Sequence, residues 1–167
     1  MAAIGTDIAL AQVFLESGQL VGIPTETVYG LAGNALNAES VALIFETKNR
    51  PSFDPLILHT FALERVEEFV SDFPEKLKLL AKKFWPGPLT LLLPRKPIIP
   101  DLVTSGLDRV AVRVPDHPLT LTLLKQLDFP LAAPSANPFG YISPTQAKHV
   151  EDQLGGKIPY ILDGGPC

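Results

Sequence analysis

Apolar positions recur with two periods along this chain, and the switches between them mark out its elements. From Asp7 to Ser17, Ile8, Ala11, Phe14 and Leu15 fall at helical spacing, with Gly18 placed to end the helix. Leu20-Val21-Gly22-Ile23 is a short apolar run stopped by Pro24, which predicts a buried strand. Asn37 predicts an N-cap for a helix through Lys48 that turns Val41, Ile44 and Phe45 inward. Leu56–Leu58 predicts another strand. Helices follow over about Leu63–Val70 and Pro74–Phe84, the second with Leu77, Leu80 and Phe84 inward. Leu89–Leu93 and Val110–Val114 predict strands, and Pro118 opens a helix carrying Leu119, Leu123 and Leu127. Pro130–Ala133 predicts a strand, Pro144–Leu154 a helix closed by Gly155, and Ile158–Leu162 a last strand. This alternation predicts an α/β domain, and the prolines at the strand edges favour a twisted, mixed open sheet flanked by helices.

Composition narrows the class without changing that outline. A chain of 167 residues suits one domain that buries roughly two-thirds of its extended surface. Hydrophobic residues at 46% and charged ones at 19% exclude a disordered segment. The net charge of −4 gives no global footprint for nucleic acid, although a local basic groove stays open. A single cysteine, Cys167, excludes an internal disulfide framework and a cysteine-based zinc site. No apolar run reaches the length of a membrane span, and no basic start precedes an apolar N-terminal core, so a cytoplasmic protein is expected.

Polar residues gather in five clusters, each at the end of a strand pattern, where open α/β sheets place their ligands. Pro24-Thr25-Glu26-Thr27 can orient a polar substrate or simply cap the next element. Lys48-Asn49-Arg50, with Asp54 and His59, can clamp a phosphate, or the two cations can complement the end of the preceding helix. Trp85-Pro86-Gly87-Pro88-Leu89-Thr90 reads as a structural corner with an aromatic anchor. In Arg109–Pro118, alternation puts Arg109, Ala111 and Arg113 on one face and the valines on the other. Arg113 then needs an anion, either a protein carboxylate or a ligand. In Ala133-Pro134-Ser135-Ala136-Asn137, small residues allow a ligand close to the backbone. Ser143 before Pro144 reads as an N-cap, at a helix start that would favour an anion. Phosphate-loop, dinucleotide, nucleophile-elbow and zinc-protease motifs are all missing. Residue chemistry alone thus reaches a polar, cationic crevice for an anionic small molecule.

The segments PTETVYGLA, KNRPSFDPLILH, WPGPLTLLL, VAVRVPDHP and APSANPFGYISPT, in this order, resemble the YrdC-like domain of the threonylcarbamoyl-AMP synthase family from about Gly18 to Gly165. The resemblance implies condensation of L-threonine, bicarbonate and ATP to threonylcarbamoyl-AMP and pyrophosphate. Partner proteins would then transfer the threonylcarbamoyl group to an adenosine beside the anticodon of tRNA. It implies a threonine site at Thr27, His59, Arg113 and Ala133, with Arg113 on the carboxylate. ATP would meet Lys48, Arg50, Asp54, Arg109, Ser135, Asn137 and Ser143, with Lys48 and Arg50 stabilising phosphate charge; Arg109 and Ala133 would act through their backbones. Mg2+ is expected to be carried mainly by ATP, with no dedicated protein metal site, no organic cofactor and no evident general base. Relatives continue past Asp163–Cys167 into a Ser/Thr-containing strand and an arginine, so a single domain cut short at its C-terminal end is expected. A hydrogenase-maturation carbamoyltransferase of the same fold would need cysteine-rich segments that this chain lacks. A non-catalytic RNA-binding module is the other alternative, and the acidic composition gives direct tRNA binding little support.

Overall fold

The computed structural model describes residues 1–167 and resolves the alternating pattern into eight strands and seven helices. In chain order these are β1 (Ala3–Gly5), α1 (Ile8–Glu16), β2 (Val21–Ile23), β3 (Gly30–Asn34), α2 (Ala38–Lys48), β4 (Ile57–His59) and α3 (Leu63–Val66). Then follow α4 (Glu75–Phe84), β5 (Leu91–Pro94), α5 (Asp101–Thr104), β6 (Arg109–Arg113), α6 (Pro118–Gln126), β7 (Leu131–Ala132), α7 (Ala147–Leu154) and β8 (Tyr160–Leu162).

Local chemistry sets the boundaries of the helices that flank the site. Asp7 caps α1 by accepting from Leu10 N–H, and Gly18 follows at φ +81°, a conformation that side chains resist. Asn37 caps α2 by accepting from the N–H groups of Glu39 and Ser40, and Asn49 ends it in the left-handed region. Val41, Ile44 and Phe45 are buried on the inner face of α2.

All eight strands join one sheet in the order β1-β8-β2-β3-β7-β4-β6-β5. β8 is parallel to both β1 and β2, and β4 is parallel to β6; the remaining pairs are antiparallel, so the sheet is mixed. Its two faces are covered unequally. One face carries a core of 28 buried residues that runs under α2, α5 and α7 and includes Leu58, Leu91, Leu93, Val110 and Val112. The other carries 12, in which α1 and α6 pack on β8, β2, β3 and β7. Beyond β7 that second face has no such cover: Ile57, Ala111 and Arg113 are half-buried, and Leu92 and Arg109 are exposed.

Four sequence expectations change. β1, β3 and α5 lie in stretches with no strong apolar period and were not expected. The helix expected to reach Val70 stops at Val66, because Phe69 and Val70 turn into the core and Val70 bridges Arg95. Leu80 and Phe84 are exposed, since α4 packs through Leu77 and Ala81. The helix expected from Pro144 starts at Ala147, so Ser143 caps nothing. Pro144 is held outside it, its carbonyl accepting from Tyr29 N–H at 2.8 Å.

Candidate active site

β6 crosses the uncovered half-face with Arg109, Ala111 and Arg113 pointing into it and Val110 and Val112 into the core. Four residue steps along the extended strand separate the two arginines by about 13 Å. At the Arg113 end, β4 places His59 directly beside Arg113 in register. The loop from Pro24 to Tyr29 folds over the same face and is pinned there by Thr120 Oγ1, which donates to the Pro24 carbonyl at 2.5 Å. Within that loop, Thr25 is buried and its hydroxyl accepts from the N–H groups of Thr27 and Val28 and donates to the Val28 carbonyl. This leaves Thr27 exposed toward Arg113.

Arg113 is braced on two sides. Nε donates to the Gly87 carbonyl at 3.2 Å, and Nη2 donates to Glu26 Oε1 at 2.5 Å and Thr27 Oγ1 at 3.1 Å. Nη1 has no protein partner, so its two donors point free of the brace. The second oxygen of Glu26 accepts from Asp116 N–H at 3.0 Å. Burial pushes the Glu26 carboxyl up, but the hydrogen bond and charge of Arg113, with backbone N–H groups, outweigh it and hold the group below the usual carboxylate range. His59 is buried, and Nδ1 donates to the Ile57 carbonyl at 3.2 Å, leaving Nε2 as an acceptor without a protein partner. Burial, seconded by the Arg113 charge, lowers His59 to about 4, so the ring is neutral at physiological pH.

The Trp85–Thr90 corner supports this end without lining it. Trp85 Nε1 donates to the Leu89 carbonyl at 2.7 Å, and its ring packs on Phe73 at a centroid distance of 6.4 Å. Gly87 N–H donates to Val114 O, which fixes the carbonyl that receives Arg113. Tyr29 closes the back of the loop: its hydroxyl meets Asp163 and the backbone of Gly164 and Gly165, and burial pushes its pKa up to about 12.

The other end is built around Lys48, the last residue of α2. It is 1% exposed, and Nζ donates to the Ser135 carbonyl at 2.5 Å and to the Asn137 carbonyl. The phosphate-clamping charge expected of Lys48 is thus an ammonium lodged beneath the Ser135–Asn137 loop with one donor left over. Burial, with the Arg50 charge, lowers it to about 8, against the pull of Asp54. Arg50 folds onto its own loop, donating to the Asp54 and Pro55 carbonyls and pairing with Asp54 Oδ2 at 2.9 Å. Asp54 is therefore engaged with Arg50. Asn137 is also turned inward: it is 5% exposed and Nδ2 donates to the Pro138 and Tyr141 carbonyls at 2.8 Å each, while Oδ1 is buried without a partner.

Ala133 joins the two ends. Its N–H donates to the Ile57 carbonyl at 3.2 Å, and Ser135 two residues on bridges Gly30. Ser135 is half-buried, and Ser143 and Arg109 are exposed with no side-chain hydrogen bond. The structure thus gathers Thr27, His59 and Arg113 at one end, and Lys48, Arg50, Asp54, Ser135 and Asn137 at the other. Arg109 marks the far end of β6 and Ser143 the loop after Asn137. Glu26 belongs to the first polar cluster and Gly87 to the structural corner read from the sequence, but the partners of Glu26, Tyr29 and Gly87 lie 26 to 136 positions away, and no local spacing signals them.

Comparison with known proteins gives this geometry a context. The Sua5_yciO_yrdC family model, described as telomere recombination, matches residues 13–167. A threonylcarbamoyl-AMP synthase of Bacillus subtilis is 51% identical over 160 residues, covering 95% of this chain and 46% of that protein. One from Pyrococcus abyssi is 50% identical over 158 residues, with 95% and 46% covered. The crystal structure of P. abyssi Sua5 complexed with L-threonine superposes with a TM-score of 0.93 at 50% identity, covering 95% of this chain and 47% of that one. The chain spans about half the length of these relatives.

Proposed function

This chain belongs to the Sua5/YciO/YrdC family, and on that premise we propose that it condenses L-threonine, bicarbonate and ATP into threonylcarbamoyl-AMP, releasing pyrophosphate. The product would serve threonylcarbamoylation of adenosine in tRNA, through transfer proteins, in the cytoplasm. No helix is long and apolar enough to cross a membrane. The observation that carries the reading is the uncovered half-face, with an oriented arginine at one end and a second cationic cluster at the other. An amino-acid carboxylate fits the first and a polyphosphate the second, as the relatives' names and the threonine complex of P. abyssi Sua5 also suggest.

The chemistry asks for positioning and charge stabilisation. Nη1 of Arg113 would take the threonine carboxylate, and Thr27 and the neutral His59 would line its pocket. The threonine ammonium first releases one proton to solvent; the free amine then attacks the carbon of bicarbonate, and a second nitrogen proton leaves with the bicarbonate hydroxyl as water, giving a carbamate. A carbamate oxygen then attacks the α-phosphorus, and the bond to the pyrophosphate oxygen breaks. Lys48 and Arg50 would offset the charge that develops there, Arg50 by exchanging Asp54 for phosphate. Ser135, Asn137 and Ser143, with the backbone of Arg109, would fix the nucleotide, and the backbone of Ala133 would meet the threonine. No three His, Cys, Asp or Glu side chains converge on a metal site. Mg2+ would arrive on the ATP phosphates, as suits an ion that keeps few protein ligands, and would neutralise phosphate charge.

Threonine- and bicarbonate-dependent pyrophosphate release from ATP tests the proposal, measured on this chain and on a version carried beyond Cys167. Release with threonine and appearance of threonylcarbamoyl-AMP are the expected results. Release with another amino acid but not with threonine would overturn the substrate, and no nucleotide turnover in either version would overturn the activity.

A further inference from the structure

Glu26 is the carboxylate that touches Arg113, and it does more than neutralise it. Its side chain is 21% exposed against 12% for Arg113, so both charged heads reach the edge of the crevice. Each Glu26 oxygen keeps a lone pair after accepting from Arg113 or from Asp116 N–H. Arg113 keeps the two donors of Nη1. The two other side chains set directly against Arg113 are uncharged: the Thr27 hydroxyl lies 3.1 Å from Nη2, and His59, in register beside it, is a neutral ring. A positive and a negative head therefore stand side by side at the edge of the crevice.

An α-amino acid carries the complementary pair on a single carbon. A plain carboxylate reaching Nη1 would meet Glu26 as a like charge, whereas a zwitterion meets an opposite charge at each head. Resting on the reading that this end takes an amino acid, we propose that Glu26 is a specificity-determining residue: it receives the substrate ammonium and so selects amino acids over carboxylates that lack the amine. Its contacts keep it ionised, which suits a counter-ion and not a proton carrier. The same two contacts aim it, since Asp116 N–H holds the outer oxygen and Arg113 the inner one.

The test is binding of L-threonine and of 3-hydroxybutyrate, its counterpart without the amine, to the chain and to Glu26→Gln by titration calorimetry. Gln keeps the shape and one acceptor oxygen, so it removes the charge and retains one of the two contacts, to Arg113 or to Asp116 N–H. With Glu26 intact, threonine is expected to bind at least about tenfold more tightly than 3-hydroxybutyrate; in Glu26→Gln threonine weakens about tenfold while 3-hydroxybutyrate holds or tightens. Equal losses for both ligands would make Glu26 a brace for Arg113 alone and overturn the proposal, and so would an unchanged preference. Glu26→Asp, which retains the charge, is expected to recover part of the preference, and it carries the test if Glu26→Gln melts early. If the chain with Glu26 intact binds neither ligand, the amino-acid reading of the crevice fails instead.

Discussion

At the Arg113 end of the crevice the cation is held by a carboxylate, a hydroxyl and a carbonyl, and one amino group is left over. At the Lys48 end the cation is held by two backbone carbonyls under a loop, and its neighbour Arg50 is folded onto Asp54. The first arrangement is ready for a small anion of fixed shape, because the guanidinium plane is oriented before anything binds. The second keeps its charge sheathed, which suits a polyanion that brings several oxygens and can displace weak internal contacts. On the proposed reading, orientation would supply selectivity at one end and electrostatic attraction affinity at the other.

The largest expected effect comes from removing the oriented cation. Arg113→Ala should weaken threonine roughly a hundredfold, in line with truncating a buried charge pair, and change ATP affinity by no more than about threefold. Calorimetric titration of each ligand separately is the check, and equal losses would erase the distinction between the ends. Lys48→Met should act the other way, weakening ATP by about tenfold with a smaller effect on threonine. Because burial lowers Lys48 to about 8, its charge is full below that pH and lost above it. ATP affinity should therefore fall as pH rises from 7 to 9, and Lys48→Met should flatten that slope. A slope that persists in Lys48→Met would place the titrating group elsewhere. Arg109→Ala should be the mildest, shifting ATP affinity less than about twofold, since its exposed side chain has no partner and its contribution would be through the backbone. A loss as large as that of Lys48→Met would extend the cationic end along the whole of β6.

Much of this layout was legible from residue order alone. The Asn37 cap, the inner face of α2 and the alternation that sends Arg113 one way and Val112 the other follow from local rules that tertiary contacts did not override. β3 escaped because Gly30-Leu31-Ala32-Gly33-Asn34 has little strand propensity. Gly33 is required there by packing, since a Cβ would lie 2.7 Å from both Leu20 and Ser40. The open choice at Arg113, between a protein carboxylate and a ligand, resolves to Glu26 within the protein, and Nη1 stays free of protein contacts. Arg50 and Asp54, four positions apart, pair with each other, as their spacing allowed. Lys48 could not be placed by any such rule, because its burial depends on a loop 87 positions away.

The unequal covering of the sheet insulates chemistry from folding. On β4 and β6 the residues that hold the core, Leu58, Val110 and Val112, alternate with those that face the crevice, Ile57, His59, Ala111 and Arg113. Each strand is in effect two interleaved texts, one written for stability and one for ligands. Ile57 and Ala111, half-buried and outside either core, are the positions where the second can be rewritten while the first stays unchanged. A change of amino-acid substrate would start there, with the fold as bystander.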